Sequence, residues 1–239
     1  MTRAPASRHG QLVAALKKLA DPAAIPKVSR FFRSDPDAPS SDNRLLGVPI
    51  GDVFPVAKQF ADMPLGDVER LLESPYYEVR MAAVSIMDFQ ARAKRIAAED
   101  RAALFDLYIR RHDRINNWDL VDRAAPYVVG GYLADKPRDI LYRLARSANP
   151  WERRTAIVST YYFIRAGDLD DTFRVAELLV HDEHDLVQKA VGSWIREAGK
   201  KDQPRLVRFL EAHAGTMPRT MLRYAVEKLP PALRAKLVG

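Results

Sequence analysis

Residues 67–96, DVERLLESPYYEVRMAAVSIMDFQARAKRI, decide the fold. Val68, Leu71 and Leu72, and then Val79, Ala82, Ala83 and Ile86, recur at spacings of three and four, the period of one helix face. Ser74-Pro75 interrupts the pattern between the two runs, where a proline can open a helix but not continue one. The stretch therefore reads as two helices joined by a short turn. Similar breakers stand at Lys136-Pro137, Asn149-Pro150, Gly167-Asp168 and Gly215. No run shows the period-two alternation and Asn-Gly or Asp-Gly turns that hairpins need. The chain is expected to be all-α, with about a dozen helices. Residues 34–46, polar and proline-rich in their first part, are expected to form an exposed loop.

A repeat underlies this pattern. The segments VRMA at 79–82, VDRA at 121–124, RRTA at 153–156, VQKA at 187–190 and LRYA at 222–225 all end in alanine. Their starts are separated by the period of stacked helical hairpins. A small residue at Ala82, Ala124, Ala156, Ala190 and Ala225 lets neighbouring helices approach closely. The expected architecture is a single domain over 1–239, a right-handed solenoid of antiparallel helix pairs of the HEAT or armadillo kind with a concave basic groove. The second position of the repeat reads Arg80, Asp122, Arg154, Gln188, Arg223. One turn earlier stand Tyr76, Trp118, Pro150, His184 and Arg219. If that face is the groove, it carries Arg and aromatic groups around a single carboxylate, a surface for a phosphate backbone with something cationic or ring-shaped held at the centre. An ion pair between Asp122 and Arg154 is the structural alternative.

Composition narrows the function. The chain has 239 residues, no cysteine and a formal net charge of +7. Absent cysteines exclude disulfide scaffolds and thiolate zinc or iron–sulfur sites. The basic excess is spread along both halves of the chain, which suits a nucleic-acid partner as well as a solvated surface. No apolar run is long enough to span a bilayer. The first ten residues lack the apolar core of a secretory signal. A cytoplasmic location, of the bacterial cytosol and nucleoid type, is the expectation. His181 and His184 have an i, i+3 spacing with no further ligand cluster, so no metal site is expected.

Four segments in order carry a family resemblance. Asn116-Asn117-Trp118-Asp119-Leu120-Val121-Asp122 resembles the W-D-x-V-D segment of the AlkD-type DNA alkylation repair glycosylases. Trp151-Glu152-Arg153-Arg154-Thr155-Ala156-Ile157 is similar to that family's W-x-x-R-x-A-I. Val187 to Gly192, followed by Arg196-Glu197, resembles its Q-K-A-I-G-x-x-x-R-E. Leu45-Leu46-Gly47-Val48 is similar to its F-x-G-V. The resemblance spans roughly residues 20–230 and implies a HEAT-like solenoid holding duplex DNA. It implies cofactor-free hydrolysis of the glycosidic bond of N3- or N7-alkylated purines, without burial of the damaged base in a deep pocket.

Matched by position, the resemblance assigns Trp118, Asp122 and Arg154 to catalysis, Arg154 as the grip on a phosphate flanking the lesion. Arg80, Arg223, Lys189, Gln188, Trp194 and Phe31 are the expected DNA contacts. Two positions depart from the family. Ser193 stands where a second tryptophan is usual, with Trp194 one place later, and Phe31 replaces a tyrosine. The expected partner is double-stranded DNA containing alkylated purines, bound by a monomer. Two other functions remain open: a non-catalytic relative binding bent or branched DNA, and a HEAT-repeat adaptor for protein.

Overall fold

The computed structural model describes residues 7–29 and 43–238. Among them there is no strand, only an isolated bridge between Arg44 and Tyr76. None of their helices is long and apolar enough to cross a membrane. The chain gathers into two compact units, Met1–Val128 and Val129–Gly239.

The first unit contains α1 (Arg8–Lys18), α2 (Ile25–Val28), α3 (Ile50–Gln59), α4 (Leu65–Leu72), α5 (Tyr77–Ala91), α6 (Ala98–Arg110) and α7 (Trp118–Ala125). Helix α5 packs against α3, α4 and α7, with lighter contacts to α1 and α6. Every residue from Tyr77 to Asp88 is buried, so α5 has no solvent face along most of its length.

The second unit contains α8 (Asp139–Leu144), α9 (Pro150–Ser159), α10 (Tyr161–Ala166), α11 (Asp170–Leu178), α12 (Asp185–Gly199), α13 (Gln203–His213), α14 (Arg219–Ala225) and α15 (Pro231–Val238). Here α12 is the centre, packed against α9, α11, α13 and α14. Local sequence fixes the helix starts. Pro150 sits at the first position of α9, where its missing N–H is not needed, and Asn149 Oδ1 accepts from the Trp151 amide at 2.9 Å. Asp202 caps α13 by accepting from the Arg205 amide at 2.9 Å.

The repeat of the sequence falls on α5, α7, α9, α12 and α14, each time beginning at the third or fourth residue of the helix. All five alanines are buried, with at most 3% exposure. Glycine serves the same end where contact is closer still. A Cβ on Gly192 would lie 2.4 Å from the Met221 carbonyl oxygen and 2.7 Å from Tyr224 Cβ, so α12 and α14 meet there backbone to backbone.

The expected loop is partly corrected. Residues 34–42 lie outside the described residues, but 43–46 are anchored. Arg44 exchanges two backbone bonds with the turn before α5, N–H to the Pro75 carbonyl and carbonyl from the Tyr77 amide, both 2.9 Å. Leu46, Gly47 and Val48 are buried. The reason is Glu78. Its fully buried carboxylate accepts from the amides of Leu46 at 3.0 Å, Gly47 at 2.9 Å and Val48 at 3.3 Å. Gly47 turns there with φ 81°, and a Cβ would strike the Asp21 carbonyl oxygen at 2.0 Å.

Gly192→Ala is expected to destabilise the protein by about 1–3 kcal/mol, the cost of overpacking a close helix crossing. The measurement is the shift of the urea unfolding midpoint. An unshifted midpoint removes the close crossing as a constraint.

Candidate functional site

In the first unit, α7 presents Trp118, Asp119 and Asp122. Its orientation is fixed by Arg123, whose guanidinium lies 4.8 Å from the ring centres of both Phe54 and Phe89. The same group bonds Ser85 Oγ at 3.1 Å and pairs with Asp88 at 3.2 Å. With Arg123 turned toward α3 and α5, Asp122, about 100° away around the helix, is half-buried. Trp118 stands one turn before Asp122 and is also half-buried. These two residues share one side of α7, as the repeat predicts.

The asparagines before Trp118 are structural. Asn117, fully buried, donates from Nδ2 to the Tyr77 hydroxyl at 3.3 Å. That hydroxyl donates in turn to Asp119 Oδ1, which also accepts from the Leu120 amide at 3.0 Å. Asn116 Oδ1 accepts from Arg80 Nη2 at 3.2 Å.

Tyr77, Trp118 and Asp119 form one wall of a cavity of about 330 Å³. It is closed by Pro49 and Ile50 at the start of α3 and by Ala24, Lys27 and Val28 from α2 and the turn before it. The starts of α3, α5 and α7 therefore converge on one hollow with mainly apolar walls and a carboxyl in it. Burial lifts the Asp119 carboxyl to about 6. Its bonds from Tyr77 and the backbone oppose the rise, and the nearby Asp122 charge adds to it. Burial, followed by the Asp119 charge, pushes the Tyr77 phenol well above its ordinary value.

Arg80 is corrected. It is 1% exposed, donating to the Ser74 carbonyl at 2.8 Å and to Asn116 and Asn43. Burial and the neighbouring Arg114 lower its pKa to about 10, which leaves it charged. It cannot reach DNA from there; with Arg114, bonded to the Leu72 carbonyl at 3.0 Å, it neutralises the carbonyl end of α4. Phe31 lies outside the described residues.

In the second unit the expected contacts divide. Arg154, 7% exposed, donates to the Leu186 carbonyl in the first turn of α12. That corrects the picture of an open phosphate contact: it ties α9 to α12. Arg153 grips Asp182 through Nε at 2.6 Å and Nη2 at 3.1 Å, and Gln188 donates to the Asp182 carbonyl at 2.8 Å. Gln188 thus braces the turn before α12. His184 accepts from the Leu186 amide at 3.3 Å and packs edge-on against the buried Trp151 at 5.3 Å. Lys189 is half-buried and pairs with Asp185 at 3.0 Å, while Arg223 is exposed. Trp194 is half-buried, its ring 5.0 Å from that of Tyr161.

The model of the DNA alkylation repair enzyme family matches residues 12–229. The chain belongs to that family. A solved structure, of a predicted DNA alkylation repair enzyme from Enterococcus faecalis, is similar with a TM-score of 0.70. The match covers 89% of this chain and 97% of that one at 16% identity, so what the two share is the fold. No curated protein matches the sequence.

Sequence reasoning missed Asp119. The signal was present in the W-D-x-V-D segment itself, whose first acid sits beside Trp118 at the start of a helix.

Two measurements check this site. The folded Asp119 carboxyl holds its proton to about 6 against an ordinary 3.8, so its neutral form favours folding. That contribution is complete below about pH 4 and is lost as pH rises through 6, on the order of a few kcal/mol. Asp119→Asn should therefore gain in stability relative to the parent between pH 4 and 7, read from paired urea melts. Parallel pH profiles would falsify the assignment. Arg154→Ala should cost about 1.5–3 kcal/mol through the lost charged bond to Leu186, with the salt slope of DNA binding unchanged. A slope lower by about one restores Arg154 as a phosphate contact.

Proposed function

We propose that the protein is a DNA glycosylase hydrolysing the N-glycosidic bond of N3- or N7-alkylated purines in duplex DNA. The observation that carries this is the pair Trp118 and Asp122, one turn apart on α7 and both half-buried, in a chain of the DNA alkylation repair enzyme family.

An N3- or N7-alkylated purine is already cationic, so it departs as a neutral base without a general acid. The sugar passes through an oxocarbenium-like state as the C1′–N bond breaks. A carboxylate near the sugar stabilises that charge, and water forms the new C1′–O bond and releases a proton. Asp122 supplies the carboxylate and orients the water. Trp118 offers a π-face to the cationic nucleotide, worth about 0.5–2 kcal/mol. Arg223 and Lys189 of the second unit are the cations for backbone phosphates.

A second reading, DNA binding without catalysis, rests on Trp194. It stands one place from the family's usual tryptophan, and its ring is against Tyr161.

Incubation with DNA containing N7-methylguanine, followed by an assay for abasic sites, separates the two. The parent should excise the base. Asp122→Asn should lose on the order of 10²–10³ of the rate while binding DNA as the parent does. Excision by the variant at the parental rate removes Asp122 from the chemistry. Salt-sensitive binding by a parent that makes no abasic sites supports the second reading.

A further inference from the structure

Trp118 stands between two side chains that converge on one atom. The Tyr77 hydroxyl donates its proton to Asp119 Oδ1 and accepts from Asn117 Nδ2 at 3.3 Å. The residues on either side of Trp118 are thus tied to the same oxygen, on a different helix and 40–42 residues earlier in the chain.

The tie replaces an ordinary helix cap. Asn117 precedes α7 with extended backbone, φ −152° and ψ 159°, yet its side chain makes no bond to the amides of the first turn. Asparagine is among the best capping residues, and here it is fully buried and turned toward Tyr77. Asp119 accepts the Leu120 amide at 3.0 Å on the same oxygen that takes the hydroxyl proton. Helix α7 has only eight residues, so a loose first turn would loosen much of it. The anchor is fixed on its own side: Tyr77 is 2% exposed, and its amide donates to the Arg44 carbonyl at 2.9 Å.

We infer that Tyr77 is a positioning residue: its hydroxyl, bonded to both neighbours of Trp118, sets the direction in which that ring is presented. The inference rests on the proposed glycosylase for the reaction that Trp118 serves. Tyr77 acts through Trp118 and needs no contact with DNA. A ring that must meet the charge of the nucleotide with its face loses its effect when it is turned or free to turn. The hydroxyl therefore bears on the rate and not on DNA affinity.

The test compares the parent with Tyr77→Phe, which keeps the ring and removes only the hydroxyl, on duplex DNA containing N7-methylguanine. The kcat for abasic-site formation should fall about tenfold, with KM within about twofold. Asp119→Asn retains an acceptor for the hydroxyl and should stay within about threefold of the parental kcat. Asp119→Ala should fall as Tyr77→Phe does, and the double variant should fall no further. Asp202→Ala, which removes the cap of α13 in the second unit, should keep the parental rate. With 5-fluorotryptophan at all three tryptophans, the fluorine resonance of Trp118 should shift or broaden in Tyr77→Phe while those of Trp151 and Trp194 hold. Parental kcat in Tyr77→Phe, or a lost rate with the Trp118 resonance unmoved, overturns the inference and leaves the glycosylase standing. A parent that makes no abasic sites discards the glycosylase, and the Trp118 resonance then decides alone whether the hydroxyl holds the ring.

Discussion

Burial of a small residue at the same repeat position of five helices is the constraint on which the rest of the structure depends. Ala82, Ala124, Ala156, Ala190 and Ala225 are all buried, and Gly192 allows backbone contact with α14. With larger residues the helices would separate, and the polar side chains that reach from one to the next would lose their partners. The bonds of Arg154 to Leu186, of Arg123 to Asp88 and Ser85, and of Tyr77 to Asp119 all depend on that spacing.

Around the first unit's site the polar groups work as one set. Glu78 holds the backbone of 46–48, which places Pro49 and Ile50 at the cavity. The adjacent Tyr77 holds Asp119 and is itself held by Asn117. Arg80, two residues after Glu78, holds Asn116. Four consecutive positions of α5 therefore carry three polar side chains that aim at the chain before α3 and at the start of α7. Burial makes each of these bonds expensive to lose, since an orphaned partner would find no water.

Much of this was legible in the sequence. The period of three and four, the recurring alanine and the proline breaks are local signals, and the helices follow them. The repeat also placed Trp118 and Asp122 on one side of α7. It failed at Arg80 and Arg154, because equivalence within a repeat says which helix position is shared but not which is covered. Helix α5 is enclosed by α3, α4 and α7, so its second repeat position faces protein. A charge in a run as apolar as VRMAAVSIM was the available warning. Asp119 escaped notice for the opposite reason. The segment shows an acid beside Trp118, but its burial and its bond from Tyr77, 42 residues earlier, are encoded by no local pattern.

The Glu78 clamp also sets a timetable for synthesis. Its three amide partners lie 30–32 residues upstream. During translation they leave the ribosome a few seconds ahead of the carboxylate that organises them. Residues 46–48 thus wait without a partner until α5 has emerged. Trp118 and Asp119, which complete the cavity wall begun by Tyr77, follow some forty residues later still in the chain.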